Sequence, residues 1–219
     1  RLLNKYRSEA VPRLRSRFNG RMPRAEITDL PCRTTAELDA ALDRIASAPK
    51  DTGTLTMVVA RPAEGERRVL AEGELDLAVG LVGDNWVDRG SKRTQDGSSH
   101  PDMQLNVIGQ RIIEFLAHGD SDRQALAGDQ LHMDLDLSHD NLPPGTRLTI
   151  GDPAARGAVI EVTEQPHTGC AKFVSRYGPE AMKFVNGATG RPLRLRGLNA
   201  KVVVPGTIRP GDAVVVSRP

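Results

Sequence analysis

The chain has 219 residues, 38% of them apolar and 26% charged, with a net charge of +2 at neutral pH. That is enough chain to bury a real core in one large domain, or in one domain with an extension, and it excludes a disordered polyelectrolyte. Aromatics are only 3%, too few for base-stacking platforms, and no run of about 18 apolar residues is present, so neither a nucleic-acid partner nor a membrane span is expected.

The first stretch, "RLLNKYRSEAVPRLRSRFNGRMPR", is strongly basic. Leu2, Leu3 and Tyr6 fit one face of a short helix, and Pro12, Gly20 and Pro23 break the pattern. It reads either as a docking arm for an acidic partner or as a solvated extension. In "TTAELDAALDRIASAPK", Thr34 and Glu37 have capping-box spacing and Leu38, Ala41, Leu42 and Ile45 form an apolar stripe. This predicts a packing helix that Pro49 ends. Residues 1–53 are thus expected to be a helical N-terminal extension.

From Thr54 the texture becomes that of strands. "TLTMVVARP" and "ERRVLAEGELDL" read as strand material joined by a turn. A long polar loop follows, opening on Gly83-Asp84. "NVIGQRIIEFLAHG" has apolar residues near helical spacing and is predicted to be a helix ending at Gly119. "DQLHMDLDL" alternates: Leu131, Met133, Leu135 and Leu137 share one face, and His132, Asp134 and Asp136 the other. "TRLTIG" and "GAVIEVTEQ" are two more strands, "AKFVSRYG" and "PEAMKFVNG" two short helices split at Gly178-Pro179, and two strands close the chain. The fold class expected for 54–219 is mainly β with peripheral helices, a barrel or sandwich.

Two cysteines far apart make no disulfide framework, and no leader segment is visible, so a reducing cytoplasmic setting is expected. There Cys170 is a free thiol. A helix starting just after Gly169 would place it at a helix N-terminus, where the partial positive charge favours the thiolate. Lys172 and Arg176 share one helical face and could add to that effect, and His167 could relay a proton. Such a thiolate serves as a nucleophile or a soft-metal ligand; the competing reading is a cysteine buried as core filler.

His132, Asp134, Asp136 and His139 could bind a divalent metal and support a hydrolase or lyase, but alternating charges are also the wet face of a half-buried strand. Arg89, Lys92 and Arg93, set among Gly and Ser, could hold a phosphate or carboxylate, or could simply be solvated.

The ordered set of Gly83-Asp84, "GDQLHMDLDL", "LPPGTRLTIG", "AVIEVTEQPHTGCAKF", "RLRGLNAKVVVPG" and "IRPGDAVVV" resembles the MOSC domain, named for the C-terminal domain of molybdenum cofactor sulfurase. The likeness runs from about Thr54 to Pro219 and implies a MOSC-type β-barrel. It also implies binding of the molybdenum cofactor, a pterin carrying a phosphate. In reducing members the family cysteine, here Cys170, ligates molybdenum and the substrates are N-hydroxylated; in the sulfurase setting the domain handles sulfur. His167, Lys172 and Arg176 would surround that cysteine, Arg89, Lys92 and Arg93 would hold the phosphate, and Asp134 falls near the strand that carries polar ligands. The His-and-Gly-rich stretch that bacterial reductases carry after Gly-Asp is replaced here by Asn85-Trp86. No flavin, iron–sulfur or pyridoxal-phosphate domain is recognisable. The resemblance therefore implies a stand-alone protein without pyridoxal phosphate, served by an external electron carrier or cysteine desulfurase. A non-catalytic cofactor or sulfur carrier is the alternative. No oligomeric state is implied.

Overall fold

A computed structural model describes residues 31–219. The basic stretch up to residue 24, and with it the docking-arm reading, lies outside the described residues. The first described helix, α1 (Thr35–Ala46), carries the expected capping box: Thr34 Oγ1 accepts from Glu37 N, and the Glu37 carboxylate accepts from Thr34 N at 2.8 Å. Its stripe of Leu38, Ala41 and Ile45 is buried.

The body is a closed barrel of seven strands. Strand β1 (Thr52–Ala60) pairs antiparallel with β6 (Leu131–Asp134), which pairs parallel with β5 (Leu105–Gly109). The ring continues through β9 (Leu198–Val204), β8 (Ala158–Val162), β7 (Arg147–Ile150) and β11 (Ala213–Ser217). It closes where Thr52 meets Val215 and Thr54 meets Ala213. A short strand β2 (Arg68–Leu70) extends β1, and β10 (Gly206–Ile208), β3 (Gly73–Asp76) and β4 (Gly80–Leu81) form a separate small sheet. Inward residues such as Leu55, Leu105, Met133, Leu148, Ile160 and Val214 fill the interior, as the alternation of strand side chains requires.

A second apolar layer lies outside the ring. It joins α1, α3 (Gln110–Leu116, followed by the short α4, Ser121–Ala125) and α5 (Ala171–Asn186) over Ile108 and Leu195. This layer explains the one segment read with the wrong period. Residues 105–109 are strand β5, and only 110–116 are helical. Leu105 and Val107 face the barrel interior while Ile108 faces the helices, so β5 is apolar on both sides and its spacing mimics a helix. Helix α5 is two segments in one: Gly178, with φ of 89°, breaks it before Pro179, as the Gly-Pro pair predicts.

Candidate functional site

One end of the barrel holds a cleft of about 420 Å³, of a size that accepts small ligands. One wall is the start of α5. Cys170 is its N-cap residue and is exposed, and its side chain makes no capping hydrogen bond. Phe173 and Tyr177, rings 4.9 Å apart, pin this segment to the core, and the Tyr177 hydroxyl donates to Arg123 O at 2.6 Å. The facing wall is the turn after β1, with Arg61, Glu64 and Arg67, together with α2 (Trp86–Arg89), which ends on Arg89. Lys172 Nζ donates to Glu64 Oε1 at 2.7 Å and so joins the two walls.

The floor explains the Gly83-Asp84 pair. Buried Asp84 accepts from Arg61 Nε at 2.7 Å and Nη2 at 2.8 Å, and from Trp86 N at 2.9 Å. Arg61 Nη1 donates to Asn106 Oδ1 and to Gly128 O, each at 2.9 Å. Gly128 has φ of 87°, and a β-carbon there would lie 3.0 Å from Arg67 Nη2 and 3.6 Å from Arg176 Nη1. Three guanidiniums therefore approach one glycine. Burial, then the neighbouring Arg176 and Arg61, push the Arg67 guanidinium down to about 10. Its Nε is buried without a partner.

Behind the cleft, Asp129 ties two further lining residues together. It is fully buried and accepts from Arg196 Nη1 at 2.9 and 2.8 Å and from His167 Nε2 at 2.7 Å. Burial would raise its pKa, but Arg196 and His167 outweigh that and hold the carboxyl well below the usual range. His167 is shifted down, first by burial and then by Arg196, against the pull of Asp129. The ring is therefore neutral at pH 7, with Nε2–H donating to the carboxylate. Arg196 also lies over the Phe173 ring, 5.0 Å from its centroid. Gly197 follows with φ of 104°, where a β-carbon would strike Val107 O at 2.1 Å, so only glycine lets the chain turn here.

Six cations thus line the cleft: Arg61, Arg67, Arg89, Lys172, Arg176 and Arg196. Glu64 is the one carboxylate among the described residues that line it. Asp84 and Asp129 offset Arg61 and Arg196 from beneath. Arg67 and Arg89 have no carboxylate partner among the described residues. The arrangement suits an anion next to a thiol.

Of the residues singled out in the sequence, the structure brings Cys170, His167, Lys172, Arg176 and Arg89 to this cleft. Lys92 and Arg93 are exposed on the loop beyond it, and Arg93 Nη1 donates to Gln165 Oε1 at 2.8 Å. Asp134 is elsewhere: Arg111 Nε donates to it at 2.7 Å beside the end of α1, in a hollow of about 30 Å³.

The divalent-metal set on β6 is corrected. His132 is fully buried, neither ring nitrogen has a partner, and burial pushes it down to about 4. Asp134 is taken by Arg111, Asp136 Oδ1 caps Ser138 N at 2.9 Å, and His139 lies exposed past the strand end. Among the described residues no three His, Cys, Asp or Glu side chains converge to hold a metal ion. Arg61, Arg67, Arg196 and Asp129 went unremarked in the sequence. The visible signals were Arg61 at the end of an apolar strand and Arg196-Gly197 within the quoted family pattern.

No family model matches the chain, and no curated protein matches it in sequence. Among solved structures, the YuaD protein of Bacillus subtilis aligns over 77% of this chain and 97% of its own, at TM-score 0.56 and 18% identity. The YiiM proteins of Geobacillus stearothermophilus and Escherichia coli align over 76% of this chain and 75% and 70% of theirs, at TM-scores of 0.48 and 0.47 and 15% and 17% identity. The fold assignment rests on YuaD; the two YiiM alignments add nothing to it. The chain has a MOSC-like fold, a seven-stranded closed barrel with a helix before it. Among the described residues no helix is long and apolar enough to cross a membrane.

Proposed function

We propose that the cleft binds the molybdenum cofactor, with Cys170 as the protein ligand to the metal, and that the bound form reduces N-hydroxylated compounds. The observation that carries this reading is one exposed thiol on the wall of a cleft lined by six cations. The residues fit the group. A thiolate is a soft ligand suited to molybdenum, and Arg67 and Arg89, without carboxylate partners among the described residues, are suited to a phosphate. When bound, the cofactor supplies a metal that exchanges electrons and oxygen with a substrate.

The chain's own residues have separable tasks. Arg89 at the rim and Arg67 beneath it hold the phosphate by charge-assisted hydrogen bonds. Lys172 and Arg176, on the same helical segment as Cys170, stabilise negative charge near the thiolate. Asp129 fixes the orientation of His167 and Arg196. Electrons would come from an external carrier.

The test is expression in cells that make the cofactor, followed by measurement of molybdenum and released pterin. Molybdenum should co-purify with the wild type, and Cys170→Ser should lose it. Wild-type protein without molybdenum, or a Cys170→Ser variant that loads fully, overturns the reading. A second reading, in which Cys170 carries transferable sulfur from a cysteine desulfurase, is favoured by the thiol's exposure and lack of a capping bond. It predicts a persulfide on Cys170, detectable by mass, in protein without molybdenum.

A further inference from the structure

The polar groups that line the cleft are overwhelmingly donors. Guanidinium and ammonium groups donate and never accept. The Asn106 side-chain oxygen is already occupied by Arg61, and Glu64 is engaged by Lys172 at the mouth. Asn85 Oδ1, buried without a partner, is one open acceptor, and the other is on His167. Its Nε2 faces Asp129, and its Cδ2 faces Gly197, where a β-carbon would lie 3.2 Å away. The opposite edge of the ring carries Nδ1. Nδ1 makes no hydrogen bond among the described residues and is not sealed from solvent, and His167 lines the cleft, so a ligand there can reach it. An ionised carboxylate only accepts, so Asp129 dictates that Nε2 carries the ring proton and Nδ1 the lone pair. Burial and Arg196 keep the ring neutral.

We propose that His167, held in this tautomer by Asp129, makes the cleft selective for an oxyanion that carries a proton. Its ligands combine negative charge with an O–H or N–H that donates to His167 Nδ1. Hydrogen phosphate belongs to this class. Sulfate, equal in charge and nearly equal in size, does not. Beside a bare oxyanion, Nδ1 would meet only lone pairs and would be left unpaired. An acceptor that loses water on binding and gains no donor weakens the complex by roughly five- to a hundredfold. Asp129 is a positioning residue here, since it acts through the imidazole. The inference rests on the reading of the cleft as an anion site, and it adds that the anion set against His167 is one with a donor hydrogen, which a phosphate monoester, with a second pKa of about 6, carries only as its monoanion.

The experiment uses cofactor-free protein at pH 8, where phosphate is mainly the monohydrogen dianion, and titrates sodium phosphate and sodium sulfate in turn by calorimetry at fixed ionic strength. Phosphate should bind about tenfold more tightly than sulfate. His167→Phe keeps a ring of similar size and removes the acceptor, while Asp129 keeps its two bonds from Arg196. It should bring the two affinities together, mainly by weakening phosphate. Arg67→Gln should weaken both anions alike and leave their ratio unchanged, separating charge from acceptor. If His167→Phe is poorly folded, the 15N shifts of His167 in the wild type provide the second readout, with an Nε2–H tautomer expected. Equal affinities in the wild type, a ratio untouched by His167→Phe, or an Nδ1–H tautomer overturns the proposal. Absence of binding by either anion overturns the anion-site reading as well. Molybdenum content does not enter these titrations, so failure of the cofactor assignment is read separately.

Discussion

Two charged regions of the barrel look alike in the sequence and differ in space. Asp134 and Arg111 pair directly at 2.7 Å in the lining of a hollow of about 30 Å³, and Arg111 also donates to Ser47 Oγ at 2.8 Å. The basic cleft is more than ten times larger, and its cations outnumber the carboxylates that face them. In the first region pairing consumes the charge. In the second, the carboxylates sit underneath and aim the guanidiniums, and Arg67 and Arg89 keep charge available for a ligand. A run of charged residues thus says little until its partners are known.

The sharpest way to break this contrast is to remove a carboxylate from the floor. Asp84→Ala leaves Arg61 buried without its counter-charge, and the expected cost is about 3–5 kcal/mol in urea unfolding, with loss of anion binding in the cleft. An effect no larger than that of a surface pair would show that the floor is not what holds the cleft.

His132 gives the next largest effect, and it is one of pH. Its folded value of about 4 lies below its unfolded value of 6.5. Above pH 6.5 both states are neutral and the group contributes nothing. As pH falls from 6.5 to 4, the unfolded chain takes up the proton first, so stability is lost, by about 3 kcal/mol in all. His132→Leu should remove this part of the acid sensitivity, read as a flatter stability curve across that window than the wild type shows. Parallel curves would count against the buried neutral ring.

Asp134→Ala should have the smallest effect. Its pair is partly solvated, so a change within about 1 kcal/mol is expected, with phosphate affinity in the cleft unaltered. A loss of anion binding in this variant would join the two regions that the structure separates.

The local features were legible in the sequence. The Thr34–Glu37 capping box, the alternating face of β6, the Gly178-Pro179 break and the start of α5 at Cys170 each depend on residues within a few positions of one another. The cleft was legible only at His167, at Cys170 and the start of α5, and at Arg89. Its remaining groups, Arg61 and Arg67 after β1, Asp129 before β6 and Arg196 before β9, come from three places in the chain, and no spacing rule links them. Strand β5 was misread because burial on two faces erases the period of two. Alternation puts His132 on the face with Asp134 and Asp136, as a metal ligand or a wet residue, but it does not report that α3 packs on β6 and that His132 is buried there.

The ring closes through Thr52–Thr54 and Ala213–Val215, near the two ends of the described chain. This seam gives the cleft a folding history. Its walls and floor are drawn from positions 61, 84, 129, 167 and 196, and contacts so distant in sequence carry a loop-closure cost that is recovered only late. Closure needs β11, so a chain without residues 213–217 has an open sheet. The cleft itself draws on segments from residue 61 to residue 196, so a cut that separates residues 61–106 from residues 167–196 takes the thiol away from the cations that face it.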